Sequence, residues 1–195
     1  MLLVFRILED SLIKTVLSSF LLVAAVGMGL FWAFMFRLHR ALAYDGNRKL
    51  DRDIIEGLAA YVDLPPGGVA LDVGCGSGAL TIVLAKRNPE AGVLGVDRWG
   101  KEYASFSQKL CQENAKAEEV SNVRFQKGDA LKLPFPDDSF DCVTSNYVYH
   151  NINGCSRQDL LLESLRTLKK GGIFAIHDIF SKMKYGETVA LMSRK

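Results

Sequence analysis

The chain has 195 residues, and its 24 Lys and Arg against 22 Asp and Glu give a formal net charge of +2 at pH 7. Such a balance gives no case for a nucleic-acid-binding protein, which would carry a strongly basic patch. Cysteines 75, 111, 142 and 155 show no paired zinc spacing and the three histidines are scattered, so we expect reduced thiols and no metal site. The length fits one folded domain plus an additional short segment.

The amino-terminal part contains a long uncharged segment, Thr15 to Phe36, bracketed by Lys14 and Arg37. About 22 residues at 1.5 Å rise give roughly 33 Å, which is enough to cross a bilayer core of about 30 Å. A signal peptide would have a small-residue cleavage site, and an interfacial helix would show a charged face; neither is present. A buried helix of a soluble domain remains an alternative. We therefore predict a membrane anchor over residues 1–40, with its helix at about 15–36.

The cationic residues predict how this anchor is oriented. More of them follow the apolar segment than precede it: Arg37, Arg40, Arg48, Lys49 and Arg52 come after it. The positive-inside rule then places the carboxyl side in the cytoplasm. The expectation is a single-pass membrane protein whose domain, residues 41–195, lies on the cytoplasmic side.

The domain begins with an amphipathic pattern over residues 50–63, and a Pro-Pro-Gly-Gly run separates that helix from the first apolar strand. The strand ends in Asp72, and glycines follow at the alternate positions Gly74, Gly76 and Gly78 before a helix-forming run. Glycine adopts positive φ and lets backbone approach a ligand closely. This strand, turn and helix start is typical of a nucleotide-binding α/β fold, although a tight turn without any ligand has the same pattern.

Two further acids follow later strands. Asp97 ends the second strand about 20 residues past the glycines, where a carboxylate can accept bonds from two ribose hydroxyls; capping of the next helix is the alternative role. Asp129 ends the third strand, Val123 to Lys127, where it can accept a hydrogen bond from an exocyclic amine such as that of adenine. The carboxyl ends of parallel strands share one edge, so these acids should meet there.

These motifs resemble those of the class I S-adenosylmethionine-dependent methyltransferases, in the small-molecule branch. The resemblance covers about residues 50–180 and is carried by four motifs: Leu71-Asp72-Val73-Gly74-Cys75-Gly76-Ser77-Gly78; Gly95-Val96-Asp97; Gly128-Asp129-Ala130 with the Leu133–Asp141 segment; and Leu168-Lys169-Lys170-Gly171-Gly172. Alternating strands and helices predict a parallel sheet of order 3-2-1-4-5, and the resemblance implies the same Rossmann-like fold with helices on both faces, here preceded by the predicted transmembrane helix. That family usually adds a carboxyl-terminal hairpin, which residues 181–195 are too short to supply. We expect a shortened domain, with cover of the exposed edge of strand five by another element or a partner as the alternative.

The resemblance also implies an S-adenosylmethionine site. Its glycines would line the methionine and ribose, Asp72 would hold the methionine amino group, Asp97 the ribose and Asp129 the adenine. The remaining cofactor positions are Cys75, Arg98, Ala130 and Asn146. A nicotinamide dinucleotide fits less well, because Asp72 would repel a pyrophosphate.

The expected function is a membrane-anchored S-adenosylmethionine-dependent methyltransferase with a small, lipophilic or soluble, acceptor. His150, after the fourth strand, is the candidate catalytic base, with a structural histidine as the alternative. Other functions left open are a non-catalytic cofactor-binding or scaffold module and, below it, a nicotinamide-dependent oxidoreductase. The identity of the acceptor and the oligomeric state are not readable from the sequence.

Overall fold

The computed structural model describes residues 12–42, 49–101 and 104–178. The chain divides into two compact units, Met1–Arg52 and Asp53–Lys195. The sequence pattern favours a short helix around residues 187–193; this segment and the expected shortening after the fifth strand lie outside the described residues.

The first unit contains one long helix, α1, which spans Leu12–Leu42. Its Ile13–Ala41 portion has a mean hydropathy of 2.1, and among the described residues this is the one helix long and apolar enough to cross a membrane. Its large apolar side chains are exposed, for example Phe20 at 68% and Trp32 at 68%. The helix extends past the predicted 15–36 at both ends, because most of the flanking residues are leucine, lysine, arginine or alanine, which have good helix propensity.

The second unit is built on a five-stranded parallel sheet in the order β3-β2-β1-β4-β5, as the sequence predicts. The strands are β1 (Val69–Val73), β2 (Gly92–Asp97), β3 (Val123–Lys127), β4 (Phe140–Asn146) and β5 (Leu168–His177). The helices are α2 (Leu50–Ala59), α3 (Ala79–Arg87), α4 (Gln108–Ala117) and α5 (Arg157–Thr167), with a short 3₁₀ helix at Tyr149–Asn151. The residues of α2 span the division between the two units.

Helices cover both faces of the sheet, and alternate strand residues point to opposite sides. Ala70 packs in a cluster with residues of α2 and α3, such as Leu58 and Leu84. Its neighbour Leu71 packs in the other cluster with Leu160 of α5. Central strands buried on both faces read as continuous apolar runs, which is what β1 and β2 show in the sequence.

The sequence pattern predicts a helix over residues 101–116 and the end of the helix after β4 at Lys169-Lys170-Gly171-Gly172, and the structure differs at both places. The helix expected from Lys101 begins only at Gln108, because Ser107 is its N-cap and accepts a hydrogen bond from the Leu110 N–H at 3.1 Å. The Lys-Lys-Gly-Gly run was expected to end α5 but belongs to β5, whose pairing with β4 is irregular between Phe140 and Cys142. An added Cβ at Gly172 would lie 2.7 Å from the Asp141 carbonyl oxygen, so only glycine allows this close approach.

Candidate active site

The glycine turn after β1 has the backbone that the sequence predicts. Gly74, Gly76 and Gly78 have φ values of +74°, +56° and +85°, a region that side chains disfavour. The turn is also crowded at its first glycine, where an added Cβ would lie 2.4 Å from Cγ2 of Val148. The Val148 side chain therefore packs directly on the turn, a contact that no local sequence pattern indicates.

The backbone N–H groups of this turn are largely engaged within the protein. Gly74 and Cys75 both donate to the Val96 carbonyl, at 2.7 and 3.1 Å, and Gly78 donates to the Cys75 carbonyl at 2.7 Å. The Gly76 N–H donates to Oδ2 of Asp97 at 2.9 Å. A phosphate-binding turn presents such groups to its ligand. This turn has them paired and lies against a carboxylate, which suits a nucleoside without phosphates.

Asp97 joins the end of β2 to the glycine turn and to the loop that follows. Besides the Gly76 bond, its Oδ1 accepts the Trp99 N–H at 2.7 Å. The Trp99 indole Nε1–H in turn donates to the Gly76 carbonyl at 2.9 Å. Trp99 itself has a left-handed backbone, with φ of +44°. Asp97 thus closes a local turn rather than capping a helix. Each carboxylate oxygen can accept two hydrogen bonds and here accepts one of the two just described, so both keep a lone pair for a ribose hydroxyl.

Asp72 is the second carboxylate of the site, and its side chain is only 1% exposed. Its Oδ2 accepts a bond from the Thr81 hydroxyl of α3 at 2.6 Å, and the Thr144 hydroxyl of β4 lies 3.2 Å from Oδ1. Burial raises the pKa of Asp72 to about 6, the two threonine bonds act against that rise, and the nearby Asp97 adds to it.

The position of Thr81 depends on a glycine of the neighbouring strand. An added Cβ at Gly95 would lie 2.9 Å from Oγ1 of Thr81 and 3.0 Å from Sγ of Cys75. The Cys75 sulfur thus points inward beneath the turn, so only its backbone is placed to face a cofactor. Cys111 of α4, also buried, donates to the Gly76 carbonyl at 3.2 Å. The hydrogen bond with the Cys111 side chain, together with burial, raises the pKa of Cys75.

The remaining predicted cofactor residues are spread along the same edge of the sheet. Asp129 follows β3, is partly exposed, and accepts the Leu131 N–H at 3.0 Å; Ala130 packs beside it against the core. Arg98 is exposed at the tip of β2. Asn146 is the last residue of β4, where its Oδ1 lies 3.1 Å from Nδ1 of His177. The roles assigned to these residues stay predictions.

His150 lies on the 3₁₀ helix after β4, beside the end of β5. Its Nδ1 is 2.5 Å from Oδ1 of Asp178, the residue that follows β5. The ring also meets Tyr147 edge to face, with centroids 6.0 Å apart, and Tyr147 meets His177 at 4.6 Å. Asp178 was not predicted as a site residue, because no local motif relates it to His150. The structure thus gives His150 a carboxylate partner rather than a backbone one.

The fold and this edge define the class of protein. A parallel sheet with a glycine turn after β1 and an acid after β2 is the Rossmann-like, nucleoside-binding arrangement. The profile of the methyltransferase domain family matches residues 65–193, more than half of the chain. The chain belongs to this methyltransferase domain family.

Known proteins with similar sequence or structure agree with that assignment. The chain is 32% identical over 138 residues to a demethylmenaquinone methyltransferase of Geobacillus stearothermophilus, a match that covers 70% of this chain and 54% of that protein. The YcgJ structure of Bacillus subtilis superposes with a TM-score of 0.53 at 32% identity, covering 63% of this chain and 49% of that one. The [4+2]-cyclase SpnF superposes with a TM-score of 0.55 at 28% identity, covering 65% and 43%. The chain spans about half the length of the relatives it matches.

The residues present fit S-adenosylmethionine. The left-handed glycines carry no side chains of their own, the Asp97 oxygens keep acceptor capacity, and Asp72 places a second carboxylate beneath the turn. Two carboxylates and few free N–H donors favour a cofactor with a cationic end over one with a pyrophosphate.

Proposed function

We propose that this chain is an S-adenosylmethionine-dependent methyltransferase, anchored in a membrane by α1, that acts on a small lipophilic acceptor. The single observation that carries the proposal is the pairing of the glycine turn with Asp97, because it leaves two carboxylates and few N–H donors at the cofactor edge. Bound there, the cofactor supplies an activated methyl group on a sulfonium.

Each residue at the carboxyl edge then has a distinct task. Asp97 accepts the ribose hydroxyls, Asp129 accepts the adenine amine, and the ionised Asp72 offsets the positive charge of the methionine end. Trp99 and Val148 fix the turn in one shape and keep water away from it. His150 receives the proton of an acceptor held between its ring and the turn. Holding the acceptor in line and excluding water provides most of the rate enhancement in such a reaction.

Two observations support a lipophilic acceptor. The Geobacillus relative is a demethylmenaquinone methyltransferase, and menaquinone-type acceptors dissolve in membranes. The helix α1 is long and apolar enough to tether the domain beside such a membrane. Orientation with the domain on the cytoplasmic side rests on the cations that follow the apolar segment.

Calorimetry with S-adenosylmethionine on the full chain in detergent tests the cofactor part. We expect binding by the wild type and a loss of about 10-fold to 100-fold in Asp97→Ala, because that change removes both acceptors for the ribose. Asp63→Asn, an exposed carboxylate on the loop before β1, is the matched control and should bind normally. Failure of the folded wild type to bind would refute the proposal, and binding of a nicotinamide dinucleotide instead would favour an oxidoreductase.

Transfer is tested with the full chain in vesicles that contain demethylmenaquinone, reduced to its quinol with dithionite, and with radiolabelled S-adenosylmethionine. We expect label in the lipid extract; label only in the polar extract would contradict the lipophilic acceptor. Binding without transfer to either extract would favour a non-catalytic cofactor-binding module. Resistance of the chain to carbonate extraction from membranes, and protease access from the cytoplasmic side, test the anchor.

A further inference from the structure

A buried carboxylate holds the ring of His150 at the acceptor side of the sheet. Asp178 is 2% exposed in its side chain, whereas His150 is 22% exposed. One oxygen of Asp178 lies 2.5 Å from Nδ1 of His150, and the other accepts the Tyr149 N–H at 2.7 Å. One carboxylate thus fixes both the backbone of the 3₁₀ helix and the ring beside it.

The register of the last two strands creates this contact. Asn146 pairs with His177 at the end of the β4–β5 ladder, and the Tyr147 N–H donates to the His177 carbonyl at 2.8 Å beyond it. The pairing therefore continues to the residue before Asp178. This brings Asp178, distant in sequence, to the start of the 3₁₀ helix.

The carboxylate determines which nitrogen of His150 carries a proton. An ionised carboxylate only accepts hydrogen bonds, so it favours the tautomer with the proton on Nδ1. Nε2 then keeps its lone pair, and among the described residues it has no hydrogen-bond partner. A carboxylate that orients a histidine in this way also stabilises the imidazolium formed when the ring accepts a proton.

We propose that Asp178 is a positioning residue that makes His150 a base, and that the acceptor is therefore one whose attacking atom must lose a proton, such as the O–H or C–H of an aromatic quinol. This inference rests on the proposed methyltransferase function. In the reaction the acceptor forms its bond to the methyl carbon, the sulfur keeps the electron pair of the broken S–C bond, and the acceptor proton goes to Nε2. Asp178 keeps its negative charge throughout.

Histidine tautomers test the orientation without any turnover. The chain has three histidines, so ¹⁵N-histidine labelling of the full chain in detergent gives a simple spectrum, with His150 assigned by His150→Gln. We expect His150 to be protonated on Nδ1 in the wild type. In Asp178→Asn the amide oxygen can still accept the Tyr149 N–H, while its NH₂ donates to Nδ1 and moves the ring proton to Nε2. A wild-type ring protonated on Nε2, or a tautomer unchanged in Asp178→Asn, would overturn the proposal.

Kinetics with demethylmenaquinol, formed in vesicles by reducing demethylmenaquinone with dithionite, separate positioning from a merely structural role. We expect Asp178→Asn to lower kcat by roughly 10²-fold to 10⁴-fold, the usual contribution of a base, while the Kd for S-adenosylmethionine and the melting temperature stay near the wild-type values. Asp178→Glu should recover part of kcat. A kcat unchanged in Asp178→Asn, or a loss explained by unfolding or by cofactor affinity, would refute the positioning role. If the wild type transfers no methyl group, the methyltransferase proposal fails together with the base, whereas the tautomer alone still decides whether Asp178 orients His150.

Discussion

Replacing Asp72 by asparagine should stabilise the protein at neutral pH. Burial raises the pKa of Asp72 from its ordinary 3.8 to about 6. The Asp72 carboxyl therefore ionises at a higher pH in the folded state than in the unfolded state. Between about pH 4 and pH 6 the folded chain holds a proton that the unfolded chain has lost, so its stability falls as pH rises through this range. That difference in pKa corresponds to about 3 kcal/mol at neutral pH.

Asparagine removes this cost without leaving a polar group unpaired. Its carbonyl oxygen can accept the Thr81 hydroxyl, and its NH₂ can donate to the Thr144 hydroxyl oxygen. That oxygen lies 3.4 Å from the Leu71 carbonyl oxygen, to which the Thr144 hydroxyl can then donate. At about 2–4 °C per kcal/mol for a chain of this size, we expect Asp72→Asn to raise the melting temperature by about 6–12 °C above pH 7. At about pH 4, where the folded wild type is already protonated, the two proteins should melt together.

Thermal unfolding of the full chain in detergent, followed by circular dichroism at several pH values, measures this difference. Asp141→Asn is a control of opposite sign. The hydrogen bond from Lys169 lowers the pKa of Asp141, so replacing Asp141 should destabilise the protein at neutral pH. The effect should be smaller in acid. Equal melting temperatures of Asp72→Asn and wild type at all pH values would show that the threonine bonds compensate fully for burial. The same variant should bind S-adenosylmethionine more weakly, because it lacks the charge proposed to face the methionine end.

Three further predictions concern packing and thiol chemistry. Arg166→Lys should lower stability by about 1–3 kcal/mol in denaturant titration, because its guanidinium bonds two carboxylates and two backbone carbonyls at once and an ammonium cannot; an unchanged midpoint would contradict this. Gly74→Ala should lose about 1–3 kcal/mol from its positive φ and its clash with Val148, and Val148→Ala should recover only the clash; a purely additive double-mutant cycle would refute the contact. Iodoacetamide should label Cys155 first in the folded chain, because the other three cysteines are buried; mass spectrometry that finds equal labelling would disprove their burial.

The sequence was sufficient for the features that depend on local pattern. Alternation of apolar runs with helical segments predicts the parallel sheet and its order, and the glycine spacing after Asp72 predicts the left-handed turn that the structure shows. The acid after β2 is placed correctly at the edge of the sheet. These features follow from backbone preferences and strand ends, which neighbouring residues determine.

Contacts that depend on register between distant segments could not be predicted. Asp178 follows an apolar strand and looks like an ordinary strand end, and only the β4–β5 pairing brings it to His150. The Trp99 bond to Gly76 requires a left-handed φ at Trp99 itself, and tryptophan is not a residue type that predicts such a backbone, as glycine or asparagine would be. Ser107 is a typical N-cap residue and could have predicted that α4 starts at Gln108. The helical periodicity that begins at Lys101 favoured an earlier start instead.

The close approach of Gly95 to Thr81 gives β2 an influence on a charge that belongs to β1. An alanine at 95 would push the Thr81 hydroxyl away from the Asp72 carboxylate and so weaken a bond that favours its ionised form. Substitutions of Gly95 should therefore be as poorly tolerated as substitutions in the glycine turn. A library of variants scored for cofactor affinity should show Gly95 to be sensitive although it lies outside the proposed cofactor site.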